Sequence, residues 1–108
     1  MRNKENILQW AKDRNLLTPE TALKQFIKTV EELGEVASAL VKNNTEGIKD
    51  GIGDVLVTLI ILAAQNNLDI EDCLEHAYNE IKNRKGVTLN GVFIKESDIR
   101  TILNYTTD

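Results

Sequence analysis

The chain has 108 residues, 42% hydrophobic and 28% charged, which suits one small folded domain and excludes a disordered segment. The net charge is −4 and no long basic run occurs, so nucleic acid is excluded as the main partner, because such binding needs clustered Lys and Arg for the phosphates. The longest apolar run, residues 55–64, is interrupted by Thr58 and falls far short of the roughly 20 residues that a membrane span requires.

Cys73 is the single cysteine, so no intrachain disulfide can form. The N-terminus, M-R-N-K-E-N, leads into an amphipathic stretch and carries no apolar secretory core. Together these make a cytoplasmic location and no membrane partner the expectation.

In chain order, residues 3–14 read as a first helix, capped by Asn3, with Ile7, Trp10 and Ala11 on an inward stripe and Trp10 as a core aromatic. Thr18-Pro19-Glu20 reads as the start of a second helix that runs to about Lys42, with Thr18 as its N-cap. Its apolar stripe is Ala22, Phe26, Val30, Leu33, Ala37 and Leu40. A second, polar stripe runs Gln25, Lys28, Glu32 and Glu35. That stripe is either a solvated face laced by ion pairs such as Lys28 with Glu32, or a ligand face.

Asn43-Asn44-Thr45 is a short turn, so the second and third helices should be antiparallel neighbours. The third helix is expected over 46–66, capped by Thr45. Its second half, V-L-V-T-L-I-I-L-A-A, is apolar on every side, which calls for burial all round and hence a subunit interface. Gly51 and Gly53 interrupt its first half; they serve close helix packing or leave room for a ligand. Asp69 caps a fourth helix whose inward stripe is Ile70, Cys73, Leu74, Ala77, Tyr78 and Ile81.

That helix should end in the basic cluster Lys82, Arg84 and Lys85 with Gly86 as its stop. The cluster either complements the helix dipole or neutralises a substrate phosphate. Asn90-Gly91, between two β-prone runs, predicts a two-residue hairpin turn. Glu96 or Ser97 then opens a last short helix with Ile99, Ile102 and Leu103 inward. The expected fold class is all-α: a four-helix-bundle-like core over 3–86, a hairpin and short helix over 87–104, one domain through 1–108, and oligomeric.

The chemistry concentrates in two facing helices. V-E-E-L-G-E-V supplies Glu31, Glu32 and Glu35; K-D-G-I-G-D-V-L supplies Asp50 and Asp54. Residues three or four apart share a helix face, so antiparallel packing can bring both acidic faces together. Like charges gathered there repel unless a cation sits between them. An all-oxygen donor set suits Mg²⁺, or Mn²⁺, rather than zinc or copper. Such an ion holds phosphates, polarises phosphorus and activates water.

These residues resemble the MazG family of all-α nucleotide pyrophosphohydrolases, whose signature is E-E-x-x-E followed after a spacer by E-x-x-D. E-E-L-G-E and D-G-I-G-D-V-L carry the resemblance, with Y-N-E-I-K-N-R-K-G similar to the family's third motif. The resemblance runs from about Trp10 to Gly86. It implies cleavage of a nucleoside triphosphate, ribo or deoxy, to a monophosphate and pyrophosphate, with Mg²⁺ or Mn²⁺, in a homodimer or homotetramer. It implies Glu32, Glu35 and Asp54 as metal ligands and Glu31 as a ligand or as the group that orients the attacking water. Gln25, Lys28, Asn79, Lys82, Arg84 and Lys85 would then meet the substrate.

One position departs from the family pattern. The Glu of E-x-x-D falls on Gly51. Asp50 and Gly51 lie about 40° and 60° to either side of Asp54 around the helix, so Asp50 can substitute. If it does not, the alternatives are a one-metal enzyme or a nucleotide- or metal-binding regulatory module that has lost turnover, and Gly51→Glu is the variant to make if no product is released.

Overall fold

In the computed structural model, which describes residues 1–99 and 101, helices dominate and one two-stranded sheet follows them. The chain divides into two compact units, Met1–Cys73 and the segment from Leu74 onward. The elements are α1 (Arg2–Asp13), a 3₁₀ turn (Pro19–Thr21), α2 (Ala22–Val41), α3 (Thr45–Gln65), α4 (Ile70–Ile81), β1 (Gly86–Leu89) and β2 (Val92–Lys95). Ile102 and Leu103, expected on the last helix, lie outside the described residues.

In the first unit, α2 and α3 form an antiparallel pair and α1 rests on α3. The pairing register is read from four contacts. The Gly47 backbone lies against Ala39, and Gly51 against Val36. Gln25 Nε2 donates to the Thr58 carbonyl at 3.1 Å, and Gln65 Nε2 to Thr21 Oγ1 at 3.2 Å.

Asparagine ends all three helices of this unit. Asn15, Asn43 and Asn67 have φ of 57°, 53° and 58°. Asn tolerates this left-handed conformation better than most residues. In each case the next N–H reaches back to a carbonyl inside the last turn: Leu16 to Ala11, Asn44 to Ala39, Leu68 to Ala63. Carbonyls that would otherwise be orphaned are thereby satisfied.

Several caps differ from expectation. Asn3 lies inside α1 rather than capping it. Thr18 forms no cap hydrogen bond; its hydroxyl shares one with Thr21 Oγ1 at 3.0 Å, and a 3₁₀ turn precedes α2. The cap of α3 is Asn44, whose side chain accepts from the Gly47 N–H at 3.1 Å, and Thr45 is the first helical residue. Asp69 caps α4 as expected, accepting from the Glu71 N–H at 2.8 Å.

The packing face of α2 is the larger correction. Its apolar stripe is outward: Phe26, Val30, Leu33 and Leu40 are exposed, Phe26 by 52% and Leu33 by 51%. The face against α3 carries Thr29, Glu32 and Ala39, all buried, with Gln25 and Val36 half-buried. Small and polar groups let the two backbones approach, and the long apolar side chains lie on the other side of the helix. On α3, Ile60, Ile61 and Ala63 are buried, while Ile52 and Leu56 are exposed, so the helix is not buried all round among the described residues. Trp10 is also half out, 47% exposed, with the Arg14 guanidinium 4.3 Å above its ring.

Sequence periodicity gave no hint of the buried Lys4. Its ammonium donates to Asp69 Oδ2 at 3.0 Å and Glu71 Oε2 at 2.7 Å, tying α1 to the start of α4. Cys73, expected inward, is exposed.

In the second unit, β1 and β2 pair antiparallel, with Leu89 opposite Val92. Asn90 and Gly91 between them have φ of 51° and 78°, the all-positive turn that asparagine-glycine predicts. Gly86 is not the stop of α4 but the first residue of β1, opposite Lys95. A Cβ there would strike the Ile94 carbonyl oxygen, so only glycine fits. Helical residues resume at 96–99 and 101.

Candidate active site: an acidic cavity between two helices

The α2 sequence places Glu32 on its packed face and Glu35 one turn further, at the edge of that face. Glu32 is 8% exposed, an expensive position for a carboxylate. Lys28, one turn earlier, brings its Nζ to 3.5 Å from Glu32 Oε1 and 3.8 Å from Glu31 Oε2. Glu32 Oε2 is buried and has no hydrogen-bond partner among the described residues. Glu31 points outward and is exposed.

Glu35 feels its neighbour. The charge of Glu32, then hydrogen bonding to it, then partial desolvation hold the Glu35 carboxyl above its ordinary range. Lys28 opposes that shift, and the charge of Asp54, from the facing helix, adds to it. The two acidic helices therefore sense each other electrostatically, as antiparallel packing requires.

Glu35, Asp50 and Asp54 line one cavity of about 390 Å³, within the range of small-ligand sites. Gly51 forms part of its wall and is buried against Val36. A Cβ on Gly53 would meet nothing within 4 Å. The two readings of the glycines thus divide between them: Gly51 serves close packing, and Gly53 faces open space.

Lys42, Ser38 and Asn44 line the same cavity, and the motif reading missed them. A signal was present for Lys42. The stripe Gln25, Lys28, Glu32, Glu35 continues with the same spacing through Ala39 to Lys42.

The remaining candidates are placed as follows. Gln25 is half-buried and uses its amide on the Thr58 carbonyl of α3. Lys28 is engaged by Glu31 and Glu32. Asn79 lies on α4, and Lys82, Arg84 and Lys85 on the connection to β1; all four are exposed and belong to the second unit.

A hard divalent cation can be tested against these donors. An orphaned buried carboxylate oxygen on Glu32, a repelled neighbour on Glu35 and two aspartates across the cavity form an all-oxygen set whose charge a cation would relieve. The donors fit in type and charge. Among the described residues, no three acidic or imidazole groups stand close enough to hold a metal as they are. Binding would have to draw the side chains together.

Helical hairpin, acidic cavity and sequence spacing define a class of small α-helical proteins with carboxylates set between antiparallel helices. A family model, the MazG nucleotide pyrophosphohydrolase domain, matches residues 18–88, and the chain belongs to that family. A relative described as an uncharacterised 18.2 kDa protein in the rep-hol intergenic region of Haemophilus phage HP1 is 54% identical over 65 residues. The match covers 60% of this chain and 40% of that relative's length. No solved structure matches the chain. Among the described residues, no helix is long and apolar enough to cross a membrane.

Proposed function

We propose that the protein is a metal-dependent nucleotide pyrophosphohydrolase that cleaves a ribo- or deoxyribonucleoside triphosphate to the monophosphate and pyrophosphate, consuming one water. The observation that carries this reading is the cavity shared by Glu35, Asp50 and Asp54, with the buried Glu32 acting on Glu35. Family membership supports the reaction class.

Glu32, Glu35 and Asp54 would hold Mg²⁺ or Mn²⁺, with Asp50 supplying the carboxylate that Gly51 lacks. When bound, such an ion polarises a phosphoryl oxygen and makes a bound water easier to deprotonate. The chain contributes the rest. Glu32 is ion-paired with Lys28 through Oε1, which leaves its buried Oε2 for a ligand. Glu31, exposed one turn before Glu35 and ion-paired with Lys28, would be a further ligand or the group that orients the attacking water. Lys82, Arg84 and Lys85, with Asn79, are the groups proposed to meet the substrate.

Self-association as a homodimer or homotetramer belongs to the same proposal. Its support is the exposed stripe Phe26, Val30, Leu33 and Leu40, an apolar face too continuous for a solvated helix. A second reading, a nucleotide- or metal-binding regulatory module without turnover, is favoured by the absence of a preassembled acidic group among the described residues.

The deciding experiment is pyrophosphate release from a panel of ribo- and deoxyribonucleoside triphosphates with Mg²⁺, Mn²⁺ or EDTA. Wild type should release it only with metal. Glu35→Gln and Asp54→Asn should reduce release to background while remaining folded. Metal-dependent nucleotide binding without any product would select the regulatory module instead.

A further inference from the structure

Lys4 and Lys28 each face two carboxylates, and the two clusters are built differently. The Lys4 ammonium stands 2.7 Å from Glu71 Oε2 and 3.0 Å from Asp69 Oδ2, and its side chain is 9% exposed. Those distances are close to the about 2.7–2.9 Å of charge-assisted hydrogen bonds. The Lys28 ammonium stands 3.5 Å from Glu32 Oε1 and 3.8 Å from Glu31 Oε2, and its side chain is 57% exposed. Lys4 is fixed by its partners. Lys28 is held by charge, at the end of a flexible stem that water reaches.

The carboxylates around Lys28 are the ones that most need a cation. Glu32 is buried, and Lys28 is the cation paired with it among the described residues. Glu35, almost one turn on, is held above its ordinary range by Glu32, and the charge of Lys28 works against that shift. One ammonium thus offsets the repulsion of three carboxylates, Glu31, Glu32 and Glu35, crowded into little more than a turn of α2.

A divalent ion answers the same need more completely, because it brings two charges and takes several oxygen donors. The ion and the ammonium repel each other beside Glu32, and only a loosely held, exposed group can give way. Lys28 has water to withdraw into and gives up a long, weak pair in doing so. Lys4, buried and closely bonded, has no such freedom.

We propose that Lys28 is a built-in counter-cation. It stands in for a divalent ion at Glu32 when none is bound, gives way when one binds, and so lowers the affinity of the site for metal. This rests on the metal reading of the carboxylates, but not on turnover. A Lys28 that served instead to orient Glu32 for the ion would raise that affinity, so the sign of one measurement separates the two roles.

The test is Mn²⁺ binding to metal-stripped protein, read from loss of the free-ion electron paramagnetic resonance signal, on wild type, Lys28→Met, Lys28→Arg and Lys24→Met. Melting in EDTA and pyrophosphate release with Mn²⁺ are followed in parallel. Lys24 is an exposed lysine one turn earlier on α2 and controls for net charge. Lys24 and Lys28 are both exposed, so all three variants should fold. Lys28→Met should bind Mn²⁺ about tenfold more tightly than wild type, the size expected when one exposed ammonium is removed from beside a divalent ion. It should melt no higher than wild type in EDTA. Lys28→Arg keeps the charge and should bind no more tightly than wild type, and Lys24→Met should bind as wild type does. Equal or weaker binding in Lys28→Met overturns the proposal even if metal-dependent pyrophosphate release is intact. Equal tightening in Lys24→Met overturns it too, because net charge alone would then explain the effect. Tighter binding in Lys28→Met with no product from any variant retains the counter-cation and overturns the hydrolase. If neither wild type nor Lys28→Met binds metal, both fall.

Discussion

Gly51 of α3 is buried against Val36 of α2, and a Cβ built on Gly51 would stand 2.6 Å from Val36 Cγ2. The two acidic helices approach closely here, and Gly51 lies at the wall of the cavity between them. The glycine is thus a packing residue whatever the chemistry beside it. Gly51→Ala should destabilise by about 1–3 kcal/mol, outweighing the roughly 1 kcal/mol that alanine gains in a helix. Gly51→Glu should fare worse rather than restore a ligand. Gly53→Ala, with open space around it, should instead stabilise by up to about 1 kcal/mol. Thermal melting separates the two cases, since each kcal/mol moves the midpoint by about 4–8 °C in a domain of this size. Equal effects at both positions would contradict the assigned packing.

The Lys4 cluster sets an acid limit on stability. The Glu71 N–H and the Lys4 ammonium hold the Asp69 carboxyl below its ordinary range. Lys4 does the same for Glu71, and these carboxylates push the Lys4 ammonium upward. Both carboxyls titrate lower in the folded chain than in the unfolded one, so the unfolded chain binds more protons as pH falls. Their contribution is complete above the ordinary carboxylate range and is lost as pH falls through the lowered folded values. Lys4→Met should melt lower than wild type at neutral pH, and the gap should close in acid. A gap that stays constant with pH would show that Lys4 acts through packing alone.

The outward apolar stripe of α2 predicts an oligomer. Wild type should sediment as a dimer or tetramer at micromolar concentration. Phe26→Asp and Leu33→Asp each place a charge on that stripe and should shift the species toward monomer. A central apolar anchor of this kind typically contributes about 2 kcal/mol or more to an interface. A monomeric wild type would leave the stripe without the proposed partner.

Metal should stabilise the folded chain if the carboxylates bind it. At 100 times its dissociation constant an ion adds about 2.7 kcal/mol. Mg²⁺ should therefore raise the melting midpoint of wild type. Glu32→Gln should lose that response and, relieved of the repulsion between Glu32 and Glu35, should melt no lower than wild type without metal. The same Mg²⁺ response in both proteins would remove Glu32 from the ligand set.

Much of the local structure was legible because its causes are local. Helical spacing located four helices, Asp69 marked the start of α4, and Asn90-Gly91 dictated the hairpin turn. The caps misread at Asn3, Thr18 and Thr45 show the limit of that reading: neighbouring polar residues compete for one helix end, and the rotamers decide between them. The carboxylate spacing was also local, and it sufficed to point to the family.

What only the tertiary structure decided was which helix faces meet. Periodicity shows that Phe26, Val30 and Leu33 share a face; it does not say whether that face turns to α3 or away from it. The small and polar stripe of Thr29, Glu32 and Ala39 faces α3, because close backbone approach at Gly51 leaves no room there for large side chains. That choice buries Glu32, sets Asp50 and Asp54 across from Glu35, and brings Lys42 to the lining of their cavity. Side-chain size at the contact, more than hydrophobicity along the helix, determined the arrangement.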